Sequence, residues 1–281
     1  MIFWIINIGI ILLFAGLLLV INHNERRMAF FAILYAILFE NVNMLLSRGQ
    51  IAGYSYNSQF VLCIFDTPLF VILSWSLLIV TGRILARQLF STYWQQLLGA
   101  TMLVLLIDLS IDIFAIRLQF WSWNGYTLQD GFFGVPSINY VGWFLVTLTF
   151  YIVYDVCKKR TLLVWCTPAI AYILFLPLIN GYNRLTQFFA IGKNNQIIIV
   201  FILFFLMYLI LIIIAFRHRL RSSSFYIKNK KIQFSLLARY LFHLFSFSAI
   251  ILYHFNTWSL ILAFFIIFFL DVLFTLRLHR T

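Results

Sequence analysis

Nine runs of apolar residues, each 19 residues or longer, alternate with short polar stretches along the chain, at 2–21, 28–46, 60–81, 95–114, 136–156, 162–180, 196–216, 233–251 and 258–276. A helix crosses the hydrocarbon core of a bilayer with about 20 apolar residues. The pattern therefore predicts an all-α fold, a polytopic transmembrane bundle of about eight or nine helices, in a single integral membrane domain over 1–281. The eighth run is the weakest, because Arg239 and His243 interrupt it. The first run has neither a basic leading region nor a small-residue cleavage site, so it is expected as a retained helix rather than a signal peptide.

Composition sharpens this reading. The chain is 64% hydrophobic and 10% charged, against about 45–50% apolar and about 25% charged in soluble domains. The net charge of +12 could point to nucleic acid, but 15 Lys and Arg fall in or beside the loops after the first, third, fifth, seventh and ninth runs, against four in the other loops. That alternation is the positive-inside pattern. It excludes nucleic acid as the expected partner and predicts a multi-pass cell-membrane protein with the N-terminus outside and the C-terminus cytoplasmic. The stretch 217–231, RHRLRSSSFYIKNKK, reads as a cytoplasmic loop that also meets anionic membrane lipid.

Within the apolar runs, acids stand out. An Asp at the centre of a membrane helix costs about 2.5–3.5 kcal/mol on insertion scales, yet Asp108 and Asp112 share one run at a spacing that puts both on one helical face. With the predicted topology, Glu40, Asp66, Asp108, Asp112, Trp121, Trp123, Tyr54, Tyr56 and Asn139 converge on the non-cytoplasmic leaflet. Asp155 and Asp271 fall towards the other face, where Lys158, Lys159, Arg160 and Arg277 offer neutralisation. Simpler readings exist for each member: the Trp and Tyr residues form an interfacial belt, Glu40 pairs with Arg48 or Arg117, and Gly53, Gly131 and Gly134 are turn residues. They do not account for four acids at similar depth with two arginines nearby. A neutral carboxylic acid beside an ionised carboxylate is the pairing that general acid/base chemistry uses. The three cysteines, Cys63, Cys157 and Cys166, have no paired spacing and indicate neither disulfides nor a zinc site. The sequence contains no nucleotide, dinucleotide, nucleophile-elbow or metal motif, so no cofactor and no metal site is expected.

The block DLSIDIFAIRLQFWSWNGYTLQDGFFGVPSINYVGW, from Asp108 to Trp143, resembles the signature of carotenoid biosynthesis membrane proteins of the carotenoid 1,2-hydratase (bisanhydrobacterioruberin hydratase) type. That signature is an Asp-bearing helix, Trp-x-Trp, a Gly-Ile/Val-Pro turn and Asn-Tyr-x-Gly-Trp. Asp112, Trp121, Trp123, Gly134, Pro136, Asn139, Tyr140, Gly142 and Trp143 occupy these places. A second block matches in the same order, from Glu40 through Gly53-Tyr54-Ser55-Tyr56 to Pro68 and Trp75. The resemblance covers roughly 35–150. It departs at Ile113, where the family tends to place Pro, so the helix is expected to continue past Asp112 without that kink.

The resemblance implies an enzyme, a hydro-lyase, that adds water across the terminal 1,2 double bond of an acyclic carotenoid end group to give a tertiary alcohol. Protonation of the alkene at its less substituted carbon gives a tertiary cation. Asp112 is the first candidate for the acid and Asp108 the second. Trp121, Trp123, Tyr54 and Tyr56 would face the cation, each aromatic contact contributing about 0.5–2 kcal/mol. Glu40 or Asp66 would take the proton of the attacking water, with Asn139 orienting that water. The expected partners are an acyclic carotenoid or related isoprenoid, membrane lipids and other enzymes of the same pathway. Two alternatives stand beside this reading: a proton- or cation-coupled transporter, in which the acids bind a cation, and a noncatalytic subunit of a lipid-modifying complex. The acids cluster in the first half of the chain without an inverted repeat, unlike common transporter designs.

Overall fold

The computed structural model describes residues 2–219, 229–253 and 257–275. Among them, nine helices are long and apolar enough to cross a membrane: α1 (Ile2–Val20), α2 (His23–Ser47), α3 (Leu69–Leu89), α4 (Tyr93–Ala115), α5 (Ser137–Cys157), α6 (Thr167–Phe188), α7 (Lys193–Arg219), α8 (Lys230–Leu252) and α9 (Trp258–Thr275). The protein is an all-α, multi-pass membrane bundle. Most of the basic stretch 217–231, and Arg277 with the C-terminal tail, lie outside the described residues.

Helices α3 and α4 form the centre. Their most apolar windows are 83% buried, against 17% for α1 and 22% for α7, which stand at the periphery with Ile5, Ile8, Ile202 and Phe205 facing outward. A helix apolar all round needs protein on every side or lipid on its free face. The outer helices meet that need with lipid.

Several boundaries differ from the apolar runs, for local reasons. Asn22 caps α2 together with Glu25 in a reciprocal capping box, so the helix starts well before residue 28. The third run does not begin a helix at residue 60. Residues 60–68 fold back into a small antiparallel hairpin, β2 (Cys63–Ile64) with β3 (Thr67–Pro68), and Pro68 then caps α3. As a result α3 runs on to Leu89 and carries Arg83 inside the bundle, 3% exposed and 2.6 Å from Asp155. Helix α6 follows a 3-10 turn at Leu163–Cys166 and extends to Phe188, past the apolar run that ends at residue 180.

Arg239 and His243, which interrupt the eighth run, are accommodated by a partner on α9. Arg239 donates to Asp271 at 2.5 and 3.2 Å, and His243 Nε2 lies 2.9 Å from the same carboxylate. The other ring nitrogen of His243 meets Ser110 Oγ of α4 at 3.0 Å. Asp271 is therefore neutralised by residues of α8; Arg277, expected from the sequence to neutralise that face, lies outside the described residues. All four side chains are buried to within 2%. A buried charge is tolerated when paired and hydrogen-bonded, and this network joins α4, α8 and α9.

The two ends of the bundle differ. At one end lie ion pairs, Arg83 with Asp155, Lys158 with Asp155 and Lys231 with Glu25. At the other, the connections 48–68 and 116–136 meet as a two-stranded ribbon, β1 (Tyr54–Tyr56) antiparallel to β4 (Trp121–Trp123).

Candidate active site

The ribbon joins the two sequence blocks directly. Tyr54 pairs with Trp123, Ser55 with Ser122 and Tyr56 with Trp121. Side chains alternate across a strand, so the four aromatic rings share the inner face while both serines are exposed. Gly53 lets the chain enter β1. A Cβ there would sit 2.2 Å from the Ser47 carbonyl oxygen, which is where the loop doubles back on the end of α2. Gly134, at φ +98°, performs the matching turn before Pro136 and α5.

Beneath the ribbon, Glu40 of α2 accepts three hydrogen bonds. Tyr54 and Tyr56 donate to Oε2 at 2.6 and 2.9 Å, and the Trp75 indole donates to Oε1 at 2.6 Å. Burial, and then the adjacent Glu40, hold both tyrosine hydroxyls well above the usual phenol range, so both stay protonated donors. Among the described residues no ion pair reaches Glu40. Arg117 instead donates to the carbonyls of Ile113 and Phe133 at 2.6 and 2.9 Å. A carboxylate has about four acceptor sites, which leaves one for a further donor.

On α4, Asp108 and Asp112 are 1% and 3% exposed and lie one helical turn apart on the same face. Two adjacent carboxyl groups can share one proton between them. The Asn139 amide nitrogen bridges the pair, 2.6 Å from Asp112 Oδ2 and 3.4 Å from Asp108 Oδ2. Asn139 sits in the first turn of α5, one turn after Pro136, and Asp112 in the last turn of α4. Asn139 thus holds the acids as well as facing the cavity.

Two cavities meet at this pair. The larger, about 720 Å³, lies under the ribbon and is lined by Glu40, Tyr54, Tyr56, Trp123, Asn139 and the polar end of α6. The smaller, about 240 Å³, lies among α1, α3, α4 and α8 and is almost wholly apolar. Asp112, Trp121 and Trp143 line both, whereas Asp108 lines the apolar one. Asp108 Oδ1 is buried with no hydrogen-bond partner among the described residues.

Of the residues singled out in the sequence, the structure brings together Glu40, Tyr54, Tyr56, Asp108, Asp112, Trp121, Trp123 and Asn139. It does not bring in Asp66, which is exposed at the hairpin tip, with its amide bonded to Asn41, and lines neither cavity. Two residues acquire roles the sequence reading did not give them: Trp75 as the third donor to Glu40, and Trp143, stacked on Trp75 at 3.9 Å between ring centres and placed between the cavities. The polar end of α6 was also missed. Asn180, Asn183 and Gln187 line the larger cavity, and their i, i+3, i+7 spacing is a helical face legible in the sequence.

The described residues thus form a membrane-type helical bundle in which a buried carboxyl pair stands between a polar and an apolar cavity. The chain belongs to the carotenoid biosynthesis protein family, whose family model matches residues 2–210, from α1 into α7. The match extends beyond the two motif blocks on both sides. No curated protein and no solved structure matches the chain. Its role therefore lies in carotenoid biosynthesis, with carotenoids or their isoprenoid relatives as substrates.

Proposed function

We propose that the protein is a hydratase that adds water to the terminal 1,2 double bond of an acyclic carotenoid end group, giving a tertiary alcohol. The observation that carries this reading is the Asp108–Asp112 pair at the junction of a polar and an apolar cavity. Hydration of an alkene in a membrane needs an acid that can reach hydrocarbon and a water that can reach the resulting cation. These are the two sides of this pair.

In the proposed step the carboxyl pair gives its proton to the less substituted alkene carbon. A C–H bond forms from the π electrons, leaving a tertiary cation at the neighbouring carbon. The faces of Trp121 and Trp143 stabilise it, each by about 0.5–2 kcal/mol. Water from the polar cavity, accepted by the Asn139 amide oxygen, attacks the cation and forms the C–O bond. Its proton passes to the vacant acceptor site on Glu40 and returns through cavity water to the aspartates, so the protein ends as it began. Glu40 takes the base role because its oxygens face the polar cavity, whereas Asp66 is remote from it.

The test is to supply lycopene to the protein in heavy-oxygen water. The product should be one water heavier than lycopene and its hydroxyl should carry the solvent label. An unlabelled hydroxyl excludes the mechanism, and unchanged pigment across several acyclic carotenoids excludes the reaction.

A further inference from the structure

The smaller cavity involves a helix to which the sequence assigned no role. Its wall is made by Ile5 and Gly9 of α1, Leu78 of α3, Phe242 and Phe245 of α8, and Asp108 of α4. Ile5 is 57% exposed and Gly9 is exposed as well, so the cavity opens sideways onto the outer apolar face of the bundle rather than towards either aqueous end. Its volume of about 240 Å³ exceeds the roughly 150 Å³ that admits a six-carbon ring in an apolar protein cavity. Its lining includes Asp108, a residue 1% exposed with one carboxyl oxygen unpartnered among the described residues, beside Asp112 and Ser74 in an otherwise apolar wall. Glycine in mid-helix weakens the helix relative to alanine. Here it leaves room, since a Cβ at Gly9 would find nothing within 4 Å.

We infer that this cavity is the subsite for the branched hydrocarbon end of an acyclic isoprenoid, which enters from the lipid past Ile5 and Gly9, and that Gly9 sets how far the end group reaches towards Asp108. The occupant follows from the chemistry of the walls. A polar head would find almost no partner there, while a chain dissolved in the bilayer loses nothing on entering. Asp108 is then the carboxyl that faces the double bond, and Asp112, which lines both cavities, connects it to water. The inference rests on the substrate of the proposed function being an acyclic isoprenoid, and not on hydration being the reaction.

The experiment uses the full chain in lipid nanodiscs, with lycopene as the probe and quenching of tryptophan emission as the readout, because Trp121 and Trp143 line the cavity. Gly9→Leu adds four carbons to the space and should raise the half-quenching concentration by about tenfold or more, while Gly9→Ala, with one carbon, should raise it by about fourfold. Gly142→Leu, which fills the polar cavity instead, should leave it within about twofold, the precision expected of such a titration. Wild-type lycopene binding that is not saturable would overturn the inference, as would a Gly9→Leu protein with wild-type helix content and unchanged binding. Loss of binding in Gly142→Leu but not in Gly9→Leu would move the chain to the polar cavity. Should Gly9→Leu fail to fold, Gly9→Ala decides alone, and unchanged binding there overturns the subsite. Gly9-dependent binding with no hydrated product would uphold the subsite and refute the reaction.

Discussion

Asp112→Asn separates an acid from a structural carboxyl, because it keeps the size of the side chain and removes the transferable proton. The structural cost follows from one contact. Asn139 donates to Asp112 Oδ2 at 2.6 Å, and an amide oxygen at residue 112 can accept the same bond as a neutral partner. The difference between a charge-assisted and a neutral hydrogen bond is about 1 kcal/mol, so the folded yield should stay near wild type. The catalytic cost is larger. Loss of a general acid lowers rates by about 100-fold or more, equivalent to about 2.7 kcal/mol of barrier at 1.36 kcal/mol per tenfold. Asp108→Asn should cost a similar factor. The double variant should be little worse than either single one, since a proton-sharing pair acts as a unit and its losses do not add. The assay is conversion of lycopene by membranes, read by chromatography and mass and normalised to protein that elutes as a folded peak. A variant that loses expression while keeping its specific activity would make Asp112 structural, and additive losses in the double variant would refute the shared-proton argument.

Two further predictions test the frame around the site. Asp271→Asn leaves Arg239, 0% exposed, without its countercharge and should destabilise the bundle by about 3–5 kcal/mol; an Arg239→Met, Asp271→Leu double variant should recover most of this, measured by thermal unfolding in detergent, and a single variant as stable as wild type would refute the network's role. Cys63 and Cys166 are both exposed and stand near opposite ends of the bundle, so with the N-terminus outside an impermeant maleimide on intact cells should label Cys63 and not Cys166. Burial, and then the Asp66 charge, push the Cys63 thiol up, and since the thiolate is the reactive form labelling should still be accelerating with pH beyond the usual thiol range of about 8.5. Labelling of Cys166 alone would invert the topology.

The bundle was legible in the sequence because membrane solvent makes apolar length the dominant signal, and each of the nine apolar runs overlaps one of the nine helices. The run at 60–81 was misplaced by the same signal. Phe60 to Phe65 is as apolar as a helix start, but Asp66 and Pro68 turn it into a hairpin, and hydropathy does not register turn geometry. The acids were legible because carboxyls in apolar runs are rare. Their pairing was half legible: the spacing of Asp108 and Asp112 is local, whereas the bonds from Trp75 to Glu40 and from Asn139 to Asp112 are tertiary contacts across 35 and 27 residues. The sequence left Arg239 and His243 as a weakness of one segment, because their partner Asp271 belongs to another helix. The part played by α1 had no sequence signal at all. Gly9 is informative only once the space beside it is seen.

The ribbon explains why two separated blocks carry the family resemblance. Tyr-x-Tyr and Trp-x-Trp have the same period of two, and pairing Tyr54 with Trp123 and Tyr56 with Trp121 directs all four rings to one side. A slip of one residue would turn them outward and bring Ser55 and Ser122 in. The register is pinned on one side by the Tyr54 and Tyr56 bonds to Glu40, and on the other by the connection from β4 through Gly134 to Asn139 and the aspartates. Each block therefore places a carboxyl as well as a pair of rings: Glu40 comes with the first, Asp108 and Asp112 with the second. Neither block alone encloses a cavity. Together they close the polar cavity over the acid pair, and the proposed acid and base arrive from different blocks, on opposite sides of the place where the double bond would lie.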